Sequence, residues 1–135
     1  MMQQLIRKKY GKPNQILNQH WSPSIINYLK LKTHDACVND EKWEFKFTEK
    51  YQNLTSSIGT KAGEAVKQGA DVLLIDIVRT EQFTNESVIE GVGNSFYYNP
   101  SLQKICVMIE SKRFVILERG WYDDGTYITA LNKFL

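Results

Sequence analysis

Between residues 43 and 48 the chain alternates strictly: Trp43, Phe45 and Phe47 are aromatic, and Glu44, Lys46 and Thr48 between and beyond them are polar. A period of two belongs to a β-strand, so the aromatics share one face and Glu44 and Lys46 project side by side from the other. Upstream, Asp35-Ala36-Cys37-Val38 reads as a partner strand across the polar turn Asn39-Asp40-Glu41-Lys42. That hairpin folds Asp35 back toward Glu44 and Lys46. Val72 to Ile75, with Ile77, is a continuous apolar run, the mark of a central strand buried on both faces. Residues 105–109 and 114–117 flank Glu110-Ser111-Lys112-Arg113 and predict a second hairpin.

Helical spacing fills most of the remainder. Leu5 to Tyr10 is short and basic, and Gly11, Pro13 and Asn14 break it before Gln15 to Gln19. Ser22 as N-cap with Pro23 at the first helical position starts a helix whose Ile25, Ile26 and Leu29 lie on one side. Thr55, Ser56 or Ser57 caps another that runs to about Gln68 and stops at Gly69, with Ile58, Ala62, Ala65 and Val66 on its apolar stripe and Lys61, Glu64 and Lys67 outside it. Gly59 and Gly63 each weaken that helix by roughly 1 kcal/mol, which points to a close approach to the sheet. Thr84 caps a short helix holding Val88, Ile89 and Val92, followed by a loop through Gly91, Gly93, Asn94, Asn99 and Pro100. The tail from Trp121 adds a strand or a short helix. Two hairpins and one helical crossover predict an α+β fold: N-terminal helices, then a mostly antiparallel, twisted sheet of four to five strands with helices packed on one face.

A chain of 135 residues, 42% hydrophobic, fits one domain with one core. Residues 1–32 form its basic helical part and residues 33–135 its sheet-containing core. No apolar run approaches the roughly 20 residues of a membrane span, and the start lacks the apolar core of a secretion signal. Cys37 and Cys106 stand in apolar runs, which suits buried thiols better than a disulfide framework or a four-ligand zinc site. Charge is divided unevenly: residues 1–34 carry six basic and no acidic side chains, so the remainder holds 11 of the 17 basic and all 15 acidic residues, a balance of −4. The front of the chain therefore suits a polyanionic partner, or is a solvated basic face.

An acid, a second acid and a lysine converging on one recess hold a metal ion beside a phosphate, or manage protons and phosphate charge without one. If RNA is cut without metal, Glu44 is the base for the 2′-hydroxyl proton and Lys46 the cation for the pentacoordinate intermediate. The bland alternative is a surface pair worth under about 1 kcal/mol. His34 titrates near neutrality and suits acid or base work, or is solvated at a strand start. Arg79 and Thr80, just past the central strand, can clamp a phosphate or simply form the strand exit. Lys50, Tyr51, Asn53, Thr55 and Lys61 surround the start of the central helix, whose amide ends favour phosphate, or form a mobile solvated loop. Asp35 contacts substrate or, like Asp76, is structural. Tyr97 and Tyr98 stack on bases or pack at a rim.

Glu44-Phe45-Lys46, Asn53-Leu54-Thr55, Ala65-Val66-Lys67-Gln68, Ile75-Asp76-Ile77, Arg79-Thr80 and the 104–117 hairpin together resemble the C-terminal tRNase domains of contact-dependent growth inhibition toxins and related phage nucleases. Those belong to the barnase, EndoU, colicin and RelE group of small metal-independent ribonucleases. The likeness spans about residues 33 to 119. It implies a tRNA-cleaving toxin without a cofactor, neutralised by a cognate immunity protein, with a translation elongation factor as a further partner, and delivered within a larger effector to a target cell's cytoplasm. Asp35 followed by Glu44-x-Lys46 also fits the PD-(D/E)xK pattern of metal-dependent nucleases, here acting on DNA or tRNA, with His34 where that pattern has Pro. An antiparallel sheet favours the first group. A third possibility is a non-catalytic immunity or binding protein.

Overall fold

The computed structural model describes residues 41–48 and 53–135. In chain order they form β1 (Trp43–Phe47), α1 (Leu54–Lys67), β2 (Val72–Ile77), α2 (Asn85–Tyr98), β3 (Lys104–Ile109), β4 (Arg113–Glu118), α3 (Arg119–Asp124) and α4 (Thr126–Phe134). The strands make one sheet in the order β1-β2-β3-β4. The fold is α+β, but the sheet is not mostly antiparallel: β1 pairs with β2 and β2 with β3 in parallel, and only β3 and β4 run antiparallel. Two crossovers through α1 and α2 account for the difference. The second was hidden because Gly91, Gly93 and Asn94 look like loop residues, yet α2 continues through them to Tyr98. The proposed hairpin partner at 35–38 and the helices before it lie outside the described residues.

Register shows how the two faces are used. Leu73, Ile75 and Ile77 on β2 lie beside Ile105, Val107 and Ile109 on β3, and Ile105 and Val107 beside Leu117 and Val115 on β4. These residues form one core with Ile58, Ala62 and Ala65 of α1, Val88, Val92 and Phe96 of α2, and Leu131 of α4. The helices that contribute to this core therefore pack on one face of the sheet, as the patterning predicts. Trp43 and Phe45 share the opposite face with Val72, Leu74, Cys106 and Met108, and all six are buried as well. Burying both faces explains the uninterrupted apolar run of β2, every residue of which is buried.

Local chemistry sets the element ends. Asn53, two to four positions earlier than the hydroxyl candidates, caps α1 by accepting a hydrogen bond from the Ser56 amide at 3.1 Å. Gly69 ends it in the left-handed region with φ +86°. Thr84 caps α2 in a reciprocal capping box with Ser87. The β3–β4 turn places Glu110 and Ser111 at φ 52° and 56°, the backbone of a tight hairpin turn that non-glycine residues adopt at a cost. Buried Asp76 offsets that cost by accepting hydrogen bonds from the Ser111 amide and hydroxyl. Arg119 donates to the carbonyls of Phe96, Asn99 and Leu102 at 2.7–3.0 Å, tying the end of α2 to the start of β3.

Candidate functional site

On β1, Glu44 lies beside Leu73 and Lys46 beside Ile75, so both project from the helix-bearing face, and Lys46 reaches Glu64 of α1. Ser57, Lys61 and Glu64 recur on α1 at spacings of four and three, a single helical stripe, and Ser57 is buried. Lys46 Nζ and Lys61 Nζ each lie 3.6 Å from the same oxygen, Glu64 Oε2. Two ammonium groups are thus held at most twice that distance apart, around one carboxylate oxygen. Their side chains are 18% and 16% exposed, whereas Glu64 is 44% exposed and is the outermost member. Glu44 is 3% exposed. The carboxylate predicted to face an open recess is therefore covered, and the solvent reaches the cluster through Glu64.

Chemically the group is balanced: Lys46 and Lys61 against Glu44 and Glu64. An oxygen of a phosphate is the same kind of acceptor as Glu64 Oε2, so an exposed carboxylate marks where an anion can engage both lysines. Charges fixed by packing need little reorganisation when an anion arrives, which is the condition for electrostatic stabilisation of a developing charge.

The other predicted residues are placed differently. Asn53 is occupied as the α1 cap. Thr55 donates its hydroxyl to the Ser87 carbonyl at 3.0 Å and ties α1 to α2. Arg79 lies over the Phe83 ring, 4.9 Å from its centroid, and the Thr80 hydroxyl accepts from the Gln82 amide at 3.3 Å. Both therefore serve the β2–α2 connection. Tyr97 and Tyr98 are exposed on α2, away from this cluster. His34, Asp35, Lys50 and Tyr51 lie outside the described residues. Of the predicted set, the structure brings together Lys46 and Lys61, on the sheet face that also carries buried Glu44.

Glu64 is the member that reading the sequence assigned to the solvent side. Its spacing from Ser57 and Lys61 was visible, but the parallel packing that turns this stripe toward β1 was not. Gly59 and Gly63 likewise do not approach the sheet; a Cβ on either would meet nothing within 4 Å. Burial pushes the Cys106 thiol well above its ordinary pKa, so it is an inert core residue and not a nucleophile. Among the described residues no three His, Cys, Asp or Glu side chains gather as a metal-ligand group, and the metal-binding alternative depends on Asp35. No protein-family model, no curated protein and no solved structure matches the chain, so the functional reading stands on the Glu44, Lys46, Lys61 and Glu64 cluster and on the pattern of the sequence.

Proposed function

We propose that this protein is an endoribonuclease whose active site is the cluster between β1 and α1. Glu44 takes the 2′-hydroxyl proton, that oxygen attacks the adjacent phosphorus, and Lys46 with Lys61 neutralises the phosphorane; the P–O5′ bond then breaks to leave a 2′,3′-cyclic phosphate, and the 5′-oxygen takes up the proton that Glu44 accepted. The supporting observation is the pair of lysine ammonium groups, each 3.6 Å from one Glu64 oxygen, on the helix-bearing face that also carries Glu44. The six basic side chains within residues 1–34 supply sequence-independent attraction for a polyanion. tRNA as the substrate, neutralisation by an immunity protein, help from an elongation factor and delivery by a larger effector rest on the toxin resemblance.

A second reading, a PD-(D/E)xK nuclease that needs Mg²⁺, takes support from the topology. Glu44 and Lys46 sit on a strand followed by a helix and a parallel strand, and the antiparallel sheet that favours the metal-independent group is not what the described residues form. In that mechanism Asp35 and Glu44 hold the ion and Lys46 orients the attacking water.

Total RNA incubated with the protein in EDTA separates the two. Shortened tRNA carrying 2′,3′-cyclic phosphate ends is expected, and Lys46→Met or Glu44→Gln should slow it by about 100- to 1,000-fold. Cleavage only after Mg²⁺ is added assigns the second reading. RNA and DNA both left intact with and without Mg²⁺ defeat both readings, and leave the cluster as a structural ion-pair group in a binding protein.

A further inference from the structure

A second concave surface lies between α2 and α4, a groove of about 860 Å³ lined by residues of α2, α3 and α4. Four of its walls are tyrosines: Tyr97, Tyr98, Tyr122 and Tyr127. Tyr97 and Tyr98 are 66% and 73% exposed and meet edge to face at 4.9 Å. Tyr122 and Tyr127 stand 5.5 Å apart, and the Tyr127 hydroxyl lies over Gly93, where an added Cβ would come within 2.8 Å of it. Glu86 and Glu90 line the same groove, one helical turn apart, and among the described residues no Lys, Arg or His does.

Exposed tyrosine faces accept two kinds of ligand. They stack on nucleic-acid bases, or they hold cations over their rings. A base-stacking surface needs cations nearby for the phosphates that accompany the bases; here two carboxylates stand in that place and would repel them. A cation gains from both elements, from the ring faces and from Glu86 and Glu90. The groove is also larger than one side chain requires.

We infer that the groove between α2 and α4 docks a lysine- or arginine-bearing segment of a protein partner. The surface is distinct from the proposed nuclease site: α1 packs against β1 and against α2, α2 in turn against α4, so the helical layer separates the two. The inference does not depend on phosphodiester chemistry.

Fluorescence anisotropy of a labelled hexa-arginine peptide against the full-length protein, at about 50 mM salt to limit screening, tests it without any RNA cleavage. The peptide binds, and the pair Glu86→Gln with Glu90→Gln weakens it at least five-fold. Tyr97→Ala with Tyr98→Ala does the same, on exposed positions where circular dichroism should show an unchanged fold. A charge-matched pair elsewhere, Glu110→Gln with Glu118→Gln, leaves the affinity within two-fold. Equal weakening by both glutamate pairs would reduce the effect to general charge attraction and overturn the assignment. So would absence of binding, or a ten-residue oligouridylate whose binding is lost in the tyrosine variants.

Discussion

Three glycines on two helices give the most direct test of the helical layer. Gly59 on α1 faces open space, whereas a Cβ at Gly91 on α2 would lie 2.9 Å from both Cβ and Cδ1 of Ile58 and 3.3 Å from its Cγ2. At Gly93 the added atom meets the Tyr127 hydroxyl at 2.8 Å and its ring carbons only at 3.6 Å and beyond. Helix propensity favours Ala over Gly by about 1 kcal/mol at each position. With nothing to oppose it, Gly59→Ala stabilises by about that amount. At Gly91 the obstacle is fully buried and one of its atoms is a Cβ fixed to the α1 backbone, so no rotamer change clears it and the helices must separate. Overpacking of this kind costs roughly 1–3 kcal/mol, which outweighs the propensity gain and leaves a net loss of about 1 kcal/mol. At Gly93 the obstacle is the far end of a side chain that can swing aside, so Gly93→Ala is neutral or mildly stabilising. Urea unfolding, compared at constant m-value, reads all three. A Gly91→Ala variant as stable as Gly59→Ala would show that α1 and α2 do not meet at Ile58, and with them the turn of the Lys61 and Glu64 stripe toward β1 would fall.

Asp76→Ala removes a charged acceptor from two hydrogen bonds to Ser111 and should cost roughly 2–4 kcal/mol in the same assay; Ser111→Gly, which loses the hydroxyl bond but relieves the positive φ, should cost far less. Arg119→Ala strands three carbonyl acceptors at the end of α2 and start of β3, a loss of about 3 kcal/mol, and a lysine there should recover only part of it. The Asp124 carboxylate is held below its ordinary pKa by the Thr126 hydroxyl first and then by the Thr126 amide. A depressed folded-state pKa means a contribution present above the unfolded carboxylate pKa and lost as pH falls through the folded value. Carboxyl carbon shifts followed by NMR should show the Asp124 midpoint rising in Thr126→Val, and an unchanged midpoint would remove the hydroxyl as the cause.

Period and punctuation in the sequence were enough for β1, β2, the β3–β4 hairpin and α1, because each has a clean alternation, an unbroken apolar run or a helical stripe. The length of α2 was not legible: Gly91 is inside the helix because Ile58 leaves no room for a side chain, a tertiary reason that local propensity cannot express. Reading that helix as short and followed by a loop also cost the sheet its direction, since a full second crossover makes β2 and β3 parallel. Glu44 and Lys46 were legible as a pair on one face of one strand. That α1 would lie over that face was not, because alternation says which residues share a side and nothing about what covers it.

The parallel sheet changes how the candidate site works. An antiparallel sheet would have left Glu44 and Lys46 on a solvated polar face, where an ion pair contributes little and each charge keeps its hydration. Under α1, Glu44 is 3% exposed and the two lysines are mostly covered, so the charges interact through less water and their positions are set by packing. Glu64, the member most open to solvent, holds both ammonium groups at equal distance and can yield that place to an incoming phosphate oxygen. Because α1 and α2 both run back from the carboxyl ends of parallel strands, their N-termini emerge at the same edge, tied by Thr55 to Ser87. The carboxylates and tyrosines of the α2–α4 groove favour the opposite charge. Under the two proposals the chain has two surfaces of opposite charge preference built from different residues, so a polyanion and a cationic protein segment would not compete for the same groups.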